Sequence, residues 1–166
     1  MLYNIYSKKN LNAKLLGGLI MGTNSSITRL IKTENGVNTY EQVTVHWDGY
    51  LSGVGRILLE NYTTDEQVAT LIAEGDISSL GARVIPDGIH PHTFKNRQPD
   101  VTLYYHRDRG DIWEECKPQI IIVKGELTCP KFSDYDYLFM DNQWYYKSYN
   151  TEGFIPLTKE VIESNN

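Results

Sequence analysis

Residues 40–47 alternate between apolar and polar side chains, which is the pattern of a half-buried β-strand. Val43, Val45 and Trp47 face one way, and Thr44 and His46 face the other. A second run of strand-forming residues lies at 26–32. The Glu34-Asn35-Gly36 sequence between the two runs favours a tight turn, because Asn and Gly tolerate positive φ. Together these features predict a β-hairpin.

After Gly55 the apolar residues recur with the period of a helix. The spacing of Val54, Ile57, Leu58 and Tyr62 predicts a short helix over residues 53–62. Thr64 and Gln67 have the spacing of a capping box, which begins a second helix whose apolar stripe contains Val68, Leu71 and Ile72. Gly75 is expected to end it. The two segments predict a helical hairpin.

The rest of the chain divides into shorter predicted elements. A loop rich in proline and glycine is expected over residues 78–99. After it come a strand at 101–106, an exposed polar turn at 107–111, a buried strand at 120–123, a hairpin from 135–139 and 144–147, and a helical turn capped by Thr158. Hairpins with helices clustered between them predict an α+β fold, in which the helical hairpin covers one face of an antiparallel sheet.

The composition suits one soluble domain. The chain has 166 residues, of which 40% are hydrophobic and 22% charged. Residues 21–166 form the expected domain, and residues 1–20 are an N-terminal extension of uncertain order whose apolar run is too short to span a membrane. The net charge of −5 disfavours general nucleic-acid or membrane binding. Cys116 and Cys129 are expected to be reduced thiols, with a disulfide as the alternative.

Two His-x-Asp sequences carry the most concentrated chemistry. One lies in the run His46-Trp47-Asp48-Gly49-Tyr50, and the other is His106 with Asp108. A spacing of two places both side chains on one face of an extended segment, so the four groups would converge if the two strands were neighbours. Such a set would suit a metal ion or acid–base catalysis. Ligand or partner binding and structural support of the turns are the alternatives, and structural support is favoured.

Three further features have both functional and structural interpretations. The Gly53-x-Gly55 turn could hold an anion on its amides, assisted by Arg56 and Arg107, although glycine also suits a tight strand-to-helix turn. His90 and His92 could form a ligand pair, but exposed loop histidines are usually solvated. The aromatic residues of the C-terminal third suit core packing better than an interface.

Four short segments follow one another in an order that is more specific than any of them alone. They are Gly22-Thr23-Asn24-Ser25-Ser26-Ile27, the run from His46 to Gly55, Gly75-Asp76-Ile77-Ser78-Ser79-Leu80-Gly81, and Tyr105-His106-Arg107-Asp108-Arg109-Gly110. Together they resemble a family of small, largely uncharacterised proteins of tailed bacteriophages and prophages. The resemblance covers residues 21–110 and extends more loosely to Leu157. The family pattern usually has arginine where this chain has Asn24.

This resemblance implies an accessory protein that acts during infection by binding and blocking a host factor, often a defence system, or by sequestering a nucleotide signal. The function that the resemblance implies is that of a phage-encoded, non-enzymatic protein in the host cytoplasm that binds and modulates or inhibits a host factor. The alternatives are a small-ligand protein that binds a nucleotide or signalling nucleotide, and a metal-assisted hydrolase. No cofactor is expected. The candidate ligand- or partner-binding residues are His46, Trp47, Asp48, Tyr50, Gly53, Gly55, Arg56, His106, Arg107, Asp108 and Arg109.

Overall fold

The computed structural model describes residues 22–127 and 133–165. Within these residues the chain forms eight β-strands, five short α-helices and one π-helical turn, Leu51–Gly55. The strands are β1 (Ser25–Glu34), β2 (Val37–Val45), β3 (Ile77–Ser79), β4 (Leu103–Tyr104), β5 (Gln119–Lys124), β6 (Tyr135–Met140), β7 (Gln143–Ser148) and β8 (Ile155–Pro156). The helices are α1 (Arg56–Asn61), α2 (Asp65–Ala73), α3 (Tyr105–Arg109), α4 (Trp113–Cys116) and α5 (Lys159–Ser164).

The strands form one mixed sheet in the order β4-β3-β2-β1-β6-β7-β8, and β5 pairs with the first part of β2. Both predicted hairpins are present: β1 and β2 turn at Asn35 and Gly36, and β6 and β7 turn at Asp141 and Asn142. The pairings of β1 with β6 and of β2 with β3 are parallel, so the sheet is mixed rather than purely antiparallel. The predicted α+β class is confirmed.

The main core lies between one face of the sheet and helices α1 and α2. Ile27 from β1, Leu58 from α1 and Leu71 from α2 are completely buried in it. The capping box predicted at the start of α2 is present. The Thr64 side chain accepts the amide N–H of Gln67, and the Gln67 side chain accepts the amide N–H of Thr64. The predicted helical hairpin therefore packs on the sheet as expected.

The strand predicted at 120–123 forms, but the expectation that it is buried is wrong. Ile121 and Val123 of β5 pack against a small second cluster around Tyr40, on the face of the sheet opposite the main core. Ile120 and Ile122 face the other way and are 58% and 69% exposed. A continuous apolar run cannot reveal that only one of its two faces meets a partner.

The strand predicted at 101–106 is much shorter than expected. Only Leu103–Tyr104 pairs as β4, and α3 follows directly. The carboxylate of Asp108 accepts the amide N–H of Tyr104 at 2.7 Å, which holds the chain in a helical turn where the strand pattern would continue. The polar segment 107–111 is consequently not a fully exposed turn, because Asp108 is buried inside it.

Three smaller expectations complete the comparison. The Thr158 cap is confirmed, because its hydroxyl oxygen accepts the amide N–H of Val161 at the start of α5. Cys116 is buried, whereas Cys129 and the N-terminal extension, residues 1–20, lie outside the described residues. Within the described part of the chain, no helix is both long and apolar enough to pass through a bilayer.

Candidate functional site

The run from His46 to Tyr50 leaves the sheet and turns sharply. The amide N–H of His46 donates to the carbonyl of Ile77 at 3.0 Å, which continues the pairing of β2 with β3. Asp48 then adopts a left-handed backbone conformation with φ of 59°, which Asp tolerates better than most residues. The turn leaves the side chains of His46, Trp47 and Asp48 exposed, and Asp48 accepts a weak hydrogen bond from the Tyr50 hydroxyl at 3.3 Å.

Gly53 and Gly55 lie in the π-helical turn, and their amides are already engaged. Both N–H groups donate to the carbonyl of Tyr50, at 3.0 and 3.4 Å. A Cβ atom on Gly53 would lie 2.2 Å from the Asp48 carbonyl oxygen, and one on Gly55 would lie 3.1 Å from the Tyr137 hydroxyl. Neither glycine amide is free to hold an anion, and the close packing gives both glycines a structural explanation.

The two arginines predicted to assist an anion at this turn are also paired elsewhere. Arg56 lies 3.8 Å from the carboxylate of Glu60, one turn further along its own helix. Arg107 pairs with Asp108 at 2.8 Å. The nucleotide site that the sequence suggested at Gly53 and Gly55 was expected to use backbone amides and arginine side chains as donors. Both kinds of donor are already paired within the protein.

His106 and Asp108 diverge because they lie on a helix, where residues two apart point in different directions. His106 is exposed, its Nδ1–H donates to the carbonyl of Asp111 at 2.7 Å, and its ring lies 5.2 Å from that of Trp113. The Asp108 side chain is only 3% exposed. The prediction that this pair shares one face is wrong, since it assumed an extended backbone.

Asp108 is the centre of a buried polar network. Its two oxygens accept the amide N–H of Tyr104 at 2.7 Å and two N–H groups of Arg107 at 2.8 and 2.9 Å. Arg107 also donates to the carbonyls of Val84 and Thr102, at 2.7 and 2.8 Å, and its guanidinium lies 4.7 Å from the centre of the Tyr104 ring. These contacts tie α3 to the long loop that precedes β4.

His92, expected to be an exposed loop residue, belongs to the same network. Its side chain is 1% exposed and lies 3.6 Å from the carboxylate of Asp108. Its Nδ1 accepts the amide N–H of Gln98 at 3.0 Å, so the ring proton is on Nε2, which donates to the carbonyl of Thr102 at 3.2 Å. His90 is exposed by contrast. The two histidines hence have separate surroundings and do not form a ligand pair.

The structure does not bring together the His and Asp side chains that were predicted to form a metal or acid–base site. Among the described residues, no group of three or more His, Cys, Asp and Glu side chains is arranged to hold a metal ion. Among the described residues, no carboxylate forms a hydrogen bond with the imidazole of His46. The charged group that affects the pKa of this imidazole is Arg109. A catalytic histidine oriented by Asp48 therefore finds no support.

The two motif segments nevertheless meet, through a continuous series of rings. The His46 ring lies edge-to-face with those of Trp47 and Tyr105, with centroids 4.8 and 6.5 Å away. Tyr105 contacts Phe94 at 5.7 Å. The guanidinium of Arg109 lies over both Tyr105 and Phe94, at 4.5 and 5.1 Å from their centres. We call these five residues the aromatic surface.

The charges of the aromatic surface are arranged so that its histidine favours the neutral form. Partial burial, and secondarily the nearby Arg109, lower the pKa of His46 below its ordinary value. Arg109 itself is anchored by Asp111, to which it donates at 2.6 and 2.5 Å. These hydrogen bonds lower the pKa of the Asp111 carboxyl. At neutral pH the surface thus combines neutral rings with one fixed guanidinium.

Sequence reasoning found three of these five residues. The strand pattern at 101–106 places Tyr105 beside Leu103 on one face, but α3 turns Tyr105 toward His46. Only its membership of the Tyr105-to-Gly110 motif pointed to it. Nothing local distinguishes Phe94, which lies within an irregular loop. Trp47, predicted to share the buried face of β2, lies beyond the end of that strand and is 40% exposed.

Comparison with protein-family models, curated proteins and solved structures finds no match to the chain. The fold and the site together define an α+β protein with an exposed surface of packed aromatic rings and one guanidinium.

Proposed function

We propose that this protein is a non-enzymatic, phage-encoded binding protein whose aromatic surface engages a host protein in the cytoplasm. The observation that carries the proposal is the unbroken series of contacts from Trp47 through His46 and Tyr105 to Phe94 and Arg109. The phage origin and the host partner rest on the resemblance of four sequence segments to phage and prophage proteins.

The residue types of this surface favour a protein partner. Trp, Tyr and Arg are enriched among the residues that dominate binding energy at protein interfaces. Trp47 presents a large ring that is 40% exposed, and contact with His46 and Gly22 restricts its orientation. A ring held in place before binding loses little conformational entropy when a partner covers it. The aromatic surface therefore has the properties of a preformed interface.

The charge of the chain also favours a protein partner over nucleic acid. The formal net charge is −5, and the guanidinium of Arg109 is paired with Asp111. One other guanidinium, that of Arg97, lies near the rings, 5.8 Å from the centre of Phe94. A nucleic-acid site would need a concentration of unpaired cations along the rings. A protein interface does not require an excess of positive charge. Packed rings and a paired arginine can form apolar contacts and hydrogen bonds with a protein partner.

The test is a quantitative pull-down from host lysate with two variants. Trp47→Ala removes a ring of the aromatic surface that is 40% exposed, and Tyr149→Ala removes a ring outside that surface that is 88% exposed. We expect a specific protein to be retained by the wild type and by Tyr149→Ala. Retention by Trp47→Ala should fall at least tenfold, since a central interface residue contributes about 2 kcal/mol or more.

The same experiment can reject the proposal. Equal loss in both variants would indicate nonspecific adsorption to exposed rings, and equal retention would place the interface elsewhere on the molecule. Absence of any saturable partner at micromolar bait would also contradict it. Circular dichroism and thermal unfolding of each variant establish that a loss of binding does not come from unfolding.

A further inference from the structure

The arginines of this chain fall into two groups. Arg29, Arg56, Arg107 and Arg109 each have a carboxylate partner. The other two, Arg83 and Arg97, have no acidic partner among the described residues. In a chain with a net charge of −5, two unpaired guanidinium groups close together are unusual enough to examine.

Both unpaired arginines line one pocket of about 400 Å³ in the loop between β3 and β4. Asn96 and His90 also line it. Arg83 uses one N–H group in a long hydrogen bond to the carbonyl of Pro99, at 3.3 Å. Arg97 has its guanidinium 5.8 Å from the centre of the Phe94 ring. Most donors of both guanidinium groups therefore remain available, and the volume suits a small ligand.

The loop that carries the pocket is held in one conformation by buried polar groups. Gln98 is 8% exposed, and its side chain accepts the amide N–H of Asp87 at 2.8 Å and donates to the carbonyl of His90 at 2.7 Å. His92 accepts the amide N–H of Gln98, as described above. A long irregular segment that is ordered in this way is more typical of a functional loop than of a simple connection.

One carboxylate, that of Asp87, also lines the pocket, but its hydrogen-bonding capacity is in use. It accepts the amide N–H groups of Ile89 and His90, at 3.1 and 2.8 Å, and the side-chain amide of Gln98 at 3.3 Å, and it lies 3.2 Å from Nδ1 of the His90 ring. The hydrogen bonds from the His90 amide, then from the His90 ring, and from the Ile89 amide lower the pKa of Asp87 to about 2. The three N–H bonds fall on one oxygen of Asp87, and the other oxygen meets the His90 ring. The two guanidinium groups still outnumber this single negative charge.

We propose that this pocket binds a small phosphate monoester, whose phosphate group lies between Arg83 and Arg97. The planar guanidinium fork matches the geometry of phosphate oxygens, and two forks match the two negative charges of a monoester near neutral pH. Asn96 adds a neutral side chain at the same rim, suited to a hydroxyl group of the ligand. The proposal requires no protein partner. The pocket adjoins the aromatic surface where the Arg97 guanidinium lies 5.8 Å from the centre of the Phe94 ring.

The test is an NMR titration of the ¹⁵N-labelled full chain with ribose 5-phosphate at constant ionic strength. Ribose and sodium chloride are the control titrants. We expect saturable shifts confined to the amides around Arg83, Asn96 and Arg97 and to the two arginine Nε–H signals. Arg83→Gln and Arg97→Gln should each weaken binding at least tenfold, whereas Arg56→Gln, outside the pocket, should stay within twofold.

Shifts that fail to saturate, or that chloride reproduces at equal ionic strength, would overturn the proposal. So would unchanged affinity in both pocket variants. Arg83 and Arg97 are exposed, so both variants should keep the wild-type amide spectrum away from the pocket. Trp47→Ala should retain ribose 5-phosphate binding, which separates failure of this site from failure of the aromatic surface.

Discussion

The two His-x-Asp segments have the same spacing in the sequence but differ in backbone conformation and in the burial of their aspartates. His46 and Asp48 follow an extended strand, and both side chains are exposed. His106 and Asp108 lie on a helical turn, so His106 is exposed while Asp108 is buried against Arg107 and Tyr104. The same two residue types are therefore both exposed in the first segment and divided between surface and interior in the second.

The difference shows that backbone conformation decides what a spacing means. Residues two apart share a face only when the chain is extended, because a helix rotates them to different sides. In α3 this rotation carries Asp108 inward, leaves Tyr105 in contact with His46, and places Arg109 over the Tyr105 ring, where its charge acts on His46. The two segments therefore meet through residues that the His-x-Asp pattern does not include.

The largest expected effect compares the two aspartates. Asp108→Asn leaves the Arg107 charge without its buried partner, and breaking a buried pair in this way costs about 3 kcal/mol of unfolding free energy. Asp48→Asn keeps a residue that tolerates the left-handed φ at that position, and we expect a change of less than about 0.5 kcal/mol. Urea unfolding followed by tryptophan fluorescence at pH 7 measures both.

Similar losses in the two variants would contradict this contrast between buried and exposed aspartate. The slope of free energy against urea concentration should stay the same in both, because neither substitution changes the surface exposed on unfolding. A changed slope in Asp108→Asn alone would mean that the loop from β3 to β4 unfolds separately from the sheet.

The next comparison uses the two arginines of the same motif. Arg107→Lys loses the paired hydrogen bonds to Asp108 and the bonds to the carbonyls of Val84 and Thr102, which a single ammonium group cannot replace. We expect about 2 kcal/mol of destabilisation. Arg109→Lys affects a surface pair with Asp111 and should cost less than about 1 kcal/mol.

Chemical denaturation of both lysine variants at low and high salt sharpens the result. The small effect of Arg109→Lys should shrink further in 0.5 M sodium chloride, because exposed pairs are screened. The effect of Arg107→Lys should change little. If both effects shrank equally, Arg107 would have to be solvated, contrary to its placement against the Tyr104 ring.

Much of the fold follows from local sequence signals. The two hairpins and the α2 capping box depend on residues close together in the chain, such as Asn35 with Gly36 and Thr64 with Gln67. The exposed face of β5 could not be predicted, because burial of Ile120 depends on whether a distant segment covers it. The parallel pairing of β1 with β6 likewise joins residues about 110 positions apart.

The site was less predictable than the fold for a related reason. The sequence indicated His46, Trp47 and Arg109 through their motifs, but the contacts of Tyr105 depend on Asp108 holding the Tyr104 amide. Phe94 joins the surface only because His92 and Gln98 fix the surrounding loop. These are side-chain-to-backbone bonds between segments, and residue periodicity contains no information about them.

The smallest expected effect tests whether the two motif segments are electrostatically coupled. Arg109 is the second cause of the lowered pKa of His46, after burial. Arg109→Gln should therefore raise the pKa of His46 toward 6.5 without fully restoring it, because burial remains. NMR titration of the imidazole signals measures the change. Arg56 is not among the groups that shift the pKa of His46, so Arg56→Gln should leave that pKa at its wild-type value.

The same coupling has a definite sign in stability. Because the folded state lowers the pKa of His46, the unfolded chain binds the proton more tightly, so this histidine reduces the free energy of unfolding as pH falls below about 6.5. The decline should be shallower in Arg109→Gln than in Arg56→Gln over the same pH range. An identical decline in both variants, with an unchanged pKa of His46, would mean that Arg109 and His46 are too far apart in solution to form one surface.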